Sequence, residues 1–386
     1  MRGVSNALVG LLLVSQALAA LRVILRLART AQGDRILETD EIAGAGAVSV
    51  IVPVLNEEHR LGPCLLGLSR QGEAVREILV VDGGSTDGTR ALAEAWAARD
   101  PRIRFIDASP VPDGWNGKPW GLHTGAMSID PGSRWLLTID ADVRPEPMLA
   151  TSLLAHAERH ALGALSVATH QRVSGLIEAP IHTSLLATLV YRYGIPGRIF
   201  NNPDAVQANG QCFLIERSAL DIVGGFLTVA QSLVEDVTLA RRCVLAGVRY
   251  GFFEPAHDGA LVTVEMYADW YDALSNWSRS LPMRDRDSGV SWASRMADQA
   301  LSMGAPVPVL ALAAVWRRMP HRSLAIRLNA GLLSTRIGTQ AGMTRAYVAL
   351  PVTHWIAVLL DPVAVAILMG QACRREHRWR GRVVRW

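Results

Sequence analysis

Val48-Ser49-Val50-Ile51-Val52-Pro53-Val54-Leu55-Asn56-Glu57 decides the fold. It is a continuous apolar run closed by proline and then by polar residues, the pattern of a parallel strand buried on both faces. Two similar segments lie downstream. Glu77 to Val81 is a strand ending in Asp82-Gly83-Gly84-Ser85-Thr86-Asp87-Gly88, and Trp135-Leu136-Leu137-Thr138-Ile139 is a strand ending in Asp140-Ala141-Asp142. Between them the residue pattern predicts helices around Leu61 to Arg70 and Thr89 to Arg99, and a strand at Ile103 to Ile106. Strands alternating with helices at this spacing give a doubly wound α/β sheet, in which ligands bind beyond the carboxyl ends of the strands. Three of these ends carry acidic or Asn/Glu residues, so the chemistry is expected there.

Outward from this core the composition changes. The chain has 386 residues, half of them apolar, with the apolar excess concentrated at the two ends. Gly3 to Leu21 carries no charge and nearly spans a bilayer core at about 1.5 Å per residue. A cleaved leader ending near Ala17-Leu18-Ala19 competes with an uncleaved anchor. Only Arg2 precedes the run and most basic residues follow it, which favours the anchor and places the next domain in the cytoplasm.

Towards the other end, Ala300 to Trp316 is uncharged. So is Ala346 to Leu360, beyond which the run continues past Asp361 to Ala372. Ile326 to Met343 is interrupted by Arg327 and Arg336 and reads as a tilted span, a helix inside the bundle or an interfacial helix. The expected organisation is an anchor over 1–30, a linker over 31–47, a catalytic domain over 48–290, membrane or interfacial helices over 291–373 and a basic tail over 374–386. That makes a multi-pass protein of the cell (inner) membrane.

Net charge is +4, and the basic residues flank the apolar segments: Arg22, Arg26, Arg29 and Arg35 at one end, Arg374, Arg375, Arg378, Arg380, Arg382 and Arg385 at the other. Such clusters suit anionic headgroups rather than nucleic acid. Cys64, Cys212, Cys243 and Cys373 are far apart and form no CxxC pair, so neither a thiolate metal site nor a disulfide framework is indicated.

Asp140 and Asp142, one residue apart at a strand end, can bind Mg²⁺ or Mn²⁺ through oxygen and so reach a diphosphate. Alone the pair is indistinguishable from two loop aspartates. Asp82 can accept hydrogen bonds from a base or ribose, although Ser85 or Asp87 would equally cap the next helix. It is the order of motifs that is informative. Pro53…Asn56-Glu57, then Asp82…Ser85…Asp87-Gly-Thr, then Asp140-x-Asp142 resembles the family 2 glycosyltransferases of GT-A fold, over roughly Val48 to Arg286.

The resemblance implies a nucleotide-sugar site formed by Pro53, Asn56, Glu57, Asp82, Asp87 and Asp140. It also implies a catalytic acidic pair downstream, matched by Glu235-Asp236 before a helix at Val237 to Ala246. Asp236 is then the base that takes the acceptor's proton in a single inverting displacement, and Glu235 shapes the site; helix capping is the plainer alternative for both. Gly114-Trp115-Asn116-Gly117-Lys118-Pro119-Trp120 and Ala208-Asn209-Gly210-Gln211 resemble carotenoid, hopanoid-associated and ceramide-type lipid glycosyltransferases. On that likeness Lys118 pairs with diphosphate, and Asn209, Gly210 and Gln211 lie on the acceptor side. Met266 to Arg279 stands where the family has its Q-x-x-R-W motif but lacks the Gln and the Arg-Trp order. Trp277 and Arg279 are the remaining candidates for closing over donor phosphate.

The implied reaction moves a hexose, with UDP-glucose the first donor to consider, to a polyisoprenoid such as a carotenoid. A ceramide, hopanoid, diacylglycerol or polyprenyl phosphate acceptor stays open. A nucleotidyltransferase can use a similar metal site, but Pro53 to Glu58 lacks the Gly-rich, basic loop such an enzyme wants. A non-catalytic relative would be expected to have lost Asp142 or Asp236, and both are present.

Overall fold

A computed structural model describes residues 2–41, 44–256, 261–265, 267, 270–277, 280–281, 289–373, 376–379 and 382–385. The chain forms two compact units, one from residues 1–32, 173–195 and 267–386, the other from 33–172 and 196–266. In chain order the elements are α1 (Arg2–Thr30), β1 (Arg35–Ile36), β2 (Val48–Val54), α2 (Glu58–Ser69), β3 (Val75–Asp82), α3 (Thr89–Ala97), β4 (Ile103–Asp107) and α4 (Gly117–Met127). Next come β5 (Trp135–Ile139), β6 (Val143–Pro145), α5 (Leu149–Arg159), β7 (Ala164–Val167), β8 (His170–Arg172) and α6 (Glu178–Tyr193). The sheet-bearing unit closes with β9 (Arg198–Phe200), β10 (Cys212–Glu216), α7 (Arg217–Ile222), α8 (Glu235–Leu245), β11 (Tyr250–Pro255) and β12 (Val262–Val264).

The second unit is a nine-stranded sheet in the order β1-β11-β7-β10-β5-β2-β3-β4, with β9 paired to β11. The strands read from the apolar runs, β2, β3, β4 and β5, are parallel neighbours. β10 enters antiparallel between β5 and β7. From β2 the chain winds outward through β3 to β4 and then returns to β5 on the other side of β2. This reversal opens a crevice at the carboxyl ends of β2 and β5. Val50 and Val52 of β2, Ile78 and Val80 of β3, and Leu137 and Ile139 of β5 are completely buried and share one core. Burying each is worth about 1.5–3 kcal/mol, which is why the register of these strands is legible in sequence. A separate small sheet pairs β12 with β6 and β8.

The helical unit departs from the sequence reading in three places. The expected uncharged span from Ala346 does not form as one helix. Tyr347–Ala349 is a short strand, Pro351 follows, and a 3₁₀ turn at Val352–Ile356 leads into the helix Ala357–Cys373. A proline lacks the N–H a helix interior requires, so the helix begins after it. The expected span over Ala300 to Trp316 is likewise divided, with Gly289–Gly304 and Pro306–Val315 bent by 44° at Pro306. Val4–Thr30 and Val352–Cys373 are long and apolar enough to cross a membrane, and the bent pair is a third crossing if it acts as one span. The chain is thus built to associate with a membrane.

The third departure concerns the basic residues beside α1. Arg22 and Arg26 do not stand free for headgroups. They bind Asp298 at 2.5 and 3.2 Å, and the Asp298 side chain is only 1% exposed. Arg35, within the sheet-bearing unit, pairs with Glu254 at 3.0 Å. In the helix Arg322–Met343, Arg336 is fully buried and makes a two-pronged bond to Asp361, at 2.7 and 3.1 Å. Of the three readings left open for this segment, the helix packed inside the bundle is the one its buried Asn329, Arg336 and Gln340 match. In the basic tail, Arg374, Arg375 and Arg380 lie outside the described residues.

Candidate active site at the carboxyl edge of the sheet

Two loops knit together at the ends of β2 and β3. Asn56 has φ +55°, a left-handed conformation that Asn tolerates better than most residues. This turns its side chain to accept from the Thr86 amide at 2.8 Å, while its own N–H donates to Ser85 Oγ at 2.8 Å. Glu57 N–H donates to Thr89 Oγ1, and Glu58 N–H to Asp87. Asp82, buried at the end of β3, accepts from the Ser85 amide and hydroxyl. Asn56, Asp82 and Asp87 therefore already hold the loop shape, and Ser85 is the residue that engages Asp82. Pro53 lies near the end of β2, half-buried.

α4 brings Lys118 to the next strand end. The helix packs hard on β2 because Gly121 and Gly125 face it. A Cβ at Gly125 would stand 2.6 Å from Ile51 Cγ2, so no larger residue fits without displacing the helix. At the amino end of this helix Lys118 Nζ lies 2.8 Å from Asp140 Oδ1 and 2.9 Å from Glu235 Oε1. Sequence reading assigned Lys118 to diphosphate. In the structure its ammonium joins the Asp140 motif to the Glu235-Asp236 motif. Burial opposes its charge, but Asp140, Glu235 and Asp236 outweigh that and hold its pKa above the ordinary lysine range.

Gly210 completes the junction. A Cβ there would sit 2.9 Å from Lys118 Nζ, 3.2 Å from Glu235 Oε1 and 3.3 Å from Asp236 Cβ. Gln211 carries its amide on Asn209 Oδ1, and its Oε1 accepts from Asn209 Nδ2 and from Thr169 Oγ1. Thr169, which the motif search missed, thus fixes the Asn209–Gln211 turn; a lone threonine in a loop gives no sequence signal.

Asp142 is the least satisfied group in the region. Its Oδ1 is buried and accepts no hydrogen bond. Burial, then Asp140 and Glu57, push its carboxyl pKa up. The donor set around it is oxygen, as a hard divalent cation requires. Cys64 does lie close, its Sγ 3.7 Å from the Asp140 carbonyl, but burial holds the Cys64 and Cys212 thiols protonated. An orphaned buried carboxylate oxygen beside a second carboxylate fits a cation.

Asp236 stands in the first turn of α8 and borders a small cavity with Leu122, Thr138, Phe213 and Leu239. Burial and the adjacent Glu235 raise its pKa, against the pull of Lys118. The loop before α8 is held by the Trp115-Asn116 segment, because Asn116 N–H donates to the Ala230 carbonyl at 2.7 Å and its Nδ2 to that of Ser232 at 3.0 Å. Trp115 packs edge-on to Trp120 at 5.2 Å. The Gly-Trp-Asn-Gly-Lys stretch therefore positions both Lys118 and the loop that leads to Asp236.

Trp277 belongs to the helical unit, where it is buried against His182 at 4.6 Å. Arg279 lies outside the described residues.

A mixed, mainly parallel sheet whose switch-point edge gathers Asp82, Asp140, Asp142, Lys118, Glu235 and Asp236 is a GT-A fold. The mannosyltransferase PcManGT from Pyrobaculum calidifontis superposes with a TM-score of 0.56 at 18% identity, covering 95% of this chain and 97% of that one. Residues 49–223 match the model of glycosyl transferase family 2, so the chain carries a family 2 glycosyltransferase domain. It is similar to 4,4'-diaponeurosporenoate glycosyltransferase of Staphylococcus haemolyticus, 23% identical over 61% of this chain. It is also similar to polyprenol monophosphomannose synthase of Mycolicibacterium smegmatis, 29% identical over 47% of this chain and 74% of that protein. The chain spans 61% of the length of the staphylococcal relative, and less of the two rhizobial relatives that follow it, 30% and 34%.

Proposed function

We propose that this protein is an inverting glycosyltransferase that moves a hexose from a nucleotide-sugar donor to a membrane lipid, with a polyisoprenoid the preferred acceptor class. One observation carries the reading: Lys118 draws the Asp140 and Glu235-Asp236 motifs to one point at the carboxyl edge of the sheet.

Asp140 and Asp142 would hold a divalent cation, Mg²⁺ or Mn²⁺. When bound, that cation neutralises the charge that develops on a departing diphosphate. The protein's own groups do the rest. Asn56, Glu57, Asp82 and Asp87 shape the loops that receive the nucleoside, with Pro53 ending the strand beneath them. Asp236, its pKa raised by burial and by Glu235, takes the proton from an acceptor hydroxyl as that oxygen attacks C1. The bond to diphosphate breaks on the opposite face, so the anomeric configuration inverts. Asn209, Gly210 and Gln211 flank this point on the acceptor side.

An apolar acceptor explains why a soluble sheet is joined to apolar helices, since such a substrate stays in the bilayer. The relatives that act on diaponeurosporenoate and on polyprenol support the acceptor class. The basic residues that follow the apolar run of α1 support a multi-pass topology with the sheet in the cytoplasm. UDP-glucose is the first donor to test; GDP-mannose is the second, since the fold neighbour was solved with GDP-Man and Mn²⁺.

The test is to incubate detergent-purified protein with Mn²⁺, each donor and host lipid extract, and to look by mass spectrometry for a hexose added to a lipid. A metal-dependent product, absent with Asp142→Asn, supports the proposal. Folded, metal-binding protein that yields no product from any donor and lipid pool overturns it.

A further inference from the structure

On the catalytic unit, well away from the motifs above, α5 carries two histidines one turn apart. His156 and His160 lie on the same side of the helix, as a spacing of four residues dictates. Their rings are 4.5 Å apart. His156 is 1% exposed, and neither of its ring nitrogens has a hydrogen-bond partner. A buried imidazole normally satisfies at least one nitrogen, so two orphans in one ring are an anomaly. The carboxylate of Asp34 approaches from the start of the sheet, its Oδ2 2.8 Å from His160 Nε2. That contact lacks hydrogen-bond alignment, since His160 Nε2 is also without a hydrogen-bond partner.

The backbone makes this convergence a fixed feature. Asp34 N–H donates to the Gly197 carbonyl at 2.8 Å, and Asp34 Oδ1 accepts from the Arg35 amide, leaving Oδ2 to point at the rings. The two chain segments cross at Gly33 and Gly197. A Cβ on Gly33 would stand 2.7 Å from Gly197 Cα, so the crossing holds only with glycines there. Against Phe253 of β11, His156 packs edge-on at 4.4 Å.

We infer that Asp34, His156 and His160 form a second metal site, selective for a borderline transition cation of the Zn²⁺ class. One nitrogen from each ring and one Asp34 oxygen lie within 4.8 Å of one another. Ligands of a tetrahedral Zn²⁺ stand about 3.3 Å apart, given metal–ligand bonds near 2.0–2.1 Å. Small rotations of the exposed Asp34 and half-buried His160 side chains reach that spacing around the fixed His156. Two imidazoles and a carboxylate are a Zn²⁺ donor set, whereas the Asp140–Asp142 pair offers only oxygen. Burial also drives the His156 imidazole down to about 4, which keeps it neutral with a lone pair available.

The site has its own place in the fold. β11 lies three strands from β5, about 14 Å across the sheet. A cation here would tie the first strand of the sheet to α5 and thereby brace the sheet edge, a structural task independent of sugar transfer.

The experiment uses full-length protein in detergent, stripped with chelator and then titrated with Zn²⁺ in excess Mg²⁺ to occupy the oxygen site. The expected result is one Zn²⁺ bound and a raised melting temperature. Affinity should fall about 100-fold or more in His160→Gln and in Asp34→Asn, as loss of a ligand exceeds the 10–100-fold cost of losing an outer-shell partner. It should be unchanged in Asp142→Asn. Co²⁺ in place of Zn²⁺ should give the strong visible absorption of tetrahedral coordination, lost in His160→Gln, which reads ligation even if a variant is less stable. Zn²⁺ binding equal in wild type and His160→Gln, binding lost only in Asp142→Asn, or no binding at all would overturn the inference.

Discussion

Both units of this protein bury charge, and they balance it in opposite ways. In the helical unit the buried Arg336, Asp361 and Asp298 each meet a counter-charge. Arg336 meets Asp361, whose second contact is the Ser184 hydroxyl, and Gln340 takes another Arg336 nitrogen while donating to the His354 carbonyl. Asp298 is matched by Arg22 and Arg26. At the sheet edge Asp140, Asp142, Glu235 and Asp236 gather around Lys118, and one of the Asp142 oxygens accepts nothing. A closed pair holds helices together. An excess of carboxylate is costly to fold around and makes sense where a cation and a diphosphate are to arrive.

The sharpest way to break this contrast is at Asp236. With a hydroxyl acceptor, Asp236→Asn should lower kcat by about 10³-fold with little change in donor KM, as expected for loss of a general base; steady-state kinetics on the glycolipid product checks it. A KM effect alone would make Asp236 a binding group.

The helical unit should respond in stability instead. Removing one partner of a buried pair costs about 3–5 kcal/mol. Arg336→Met should therefore melt far earlier in detergent than wild type, and Arg336→Met with Asp361→Leu should recover much of the loss. Activity per folded molecule should survive in the double variant. If the double variant folds but is inactive, the pair is no longer purely structural.

A smaller effect is expected on the pH profile. Asp236 must be ionised to accept a proton, and burial and Glu235 raise its pKa. The rate should therefore fall as pH drops through that raised value and recover above it. Lys118 favours the charged form, so Lys118→Met should move this acid limb to higher pH. A limb that stays in place would mean Lys118 does not act on the base. Smaller again is Asn116→Ala, which removes the bond from Nδ2 to the Ser232 carbonyl, about 1 kcal/mol. A few-fold loss of kcat with unchanged melting temperature is the expected outcome.

Much of the catalytic unit was legible because strand burial writes itself as apolar runs. β2, β3 and β5 were readable nearly end to end, and the acidic residues at their ends were visible as breaks in those runs. What joins them was not. Lys118 and Glu235 are far apart in the chain, and a lysine in a loop looks the same whether it faces solvent, phosphate or carboxylate. Arg22 and Arg26 looked like headgroup ligands because Asp298, hundreds of residues downstream, carries no mark of being their partner. α6 gave no clear signal, and its part in the helical unit appears only in the fold. The His156–His160 spacing could have been seen, but Asp34 joins it only through the Gly33–Gly197 crossing.

The central claim is that the carboxylates gathered at the sheet edge await a cation and a diphosphate together. Mn²⁺ binding, followed by electron paramagnetic resonance with and without UDP or GDP, tests it most directly. The account predicts that the nucleoside diphosphate tightens Mn²⁺ binding, and that Asp142→Asn abolishes both the binding and the tightening in protein that remains folded. Mn²⁺ binding indifferent to either nucleotide and undiminished in Asp142→Asn would contradict it.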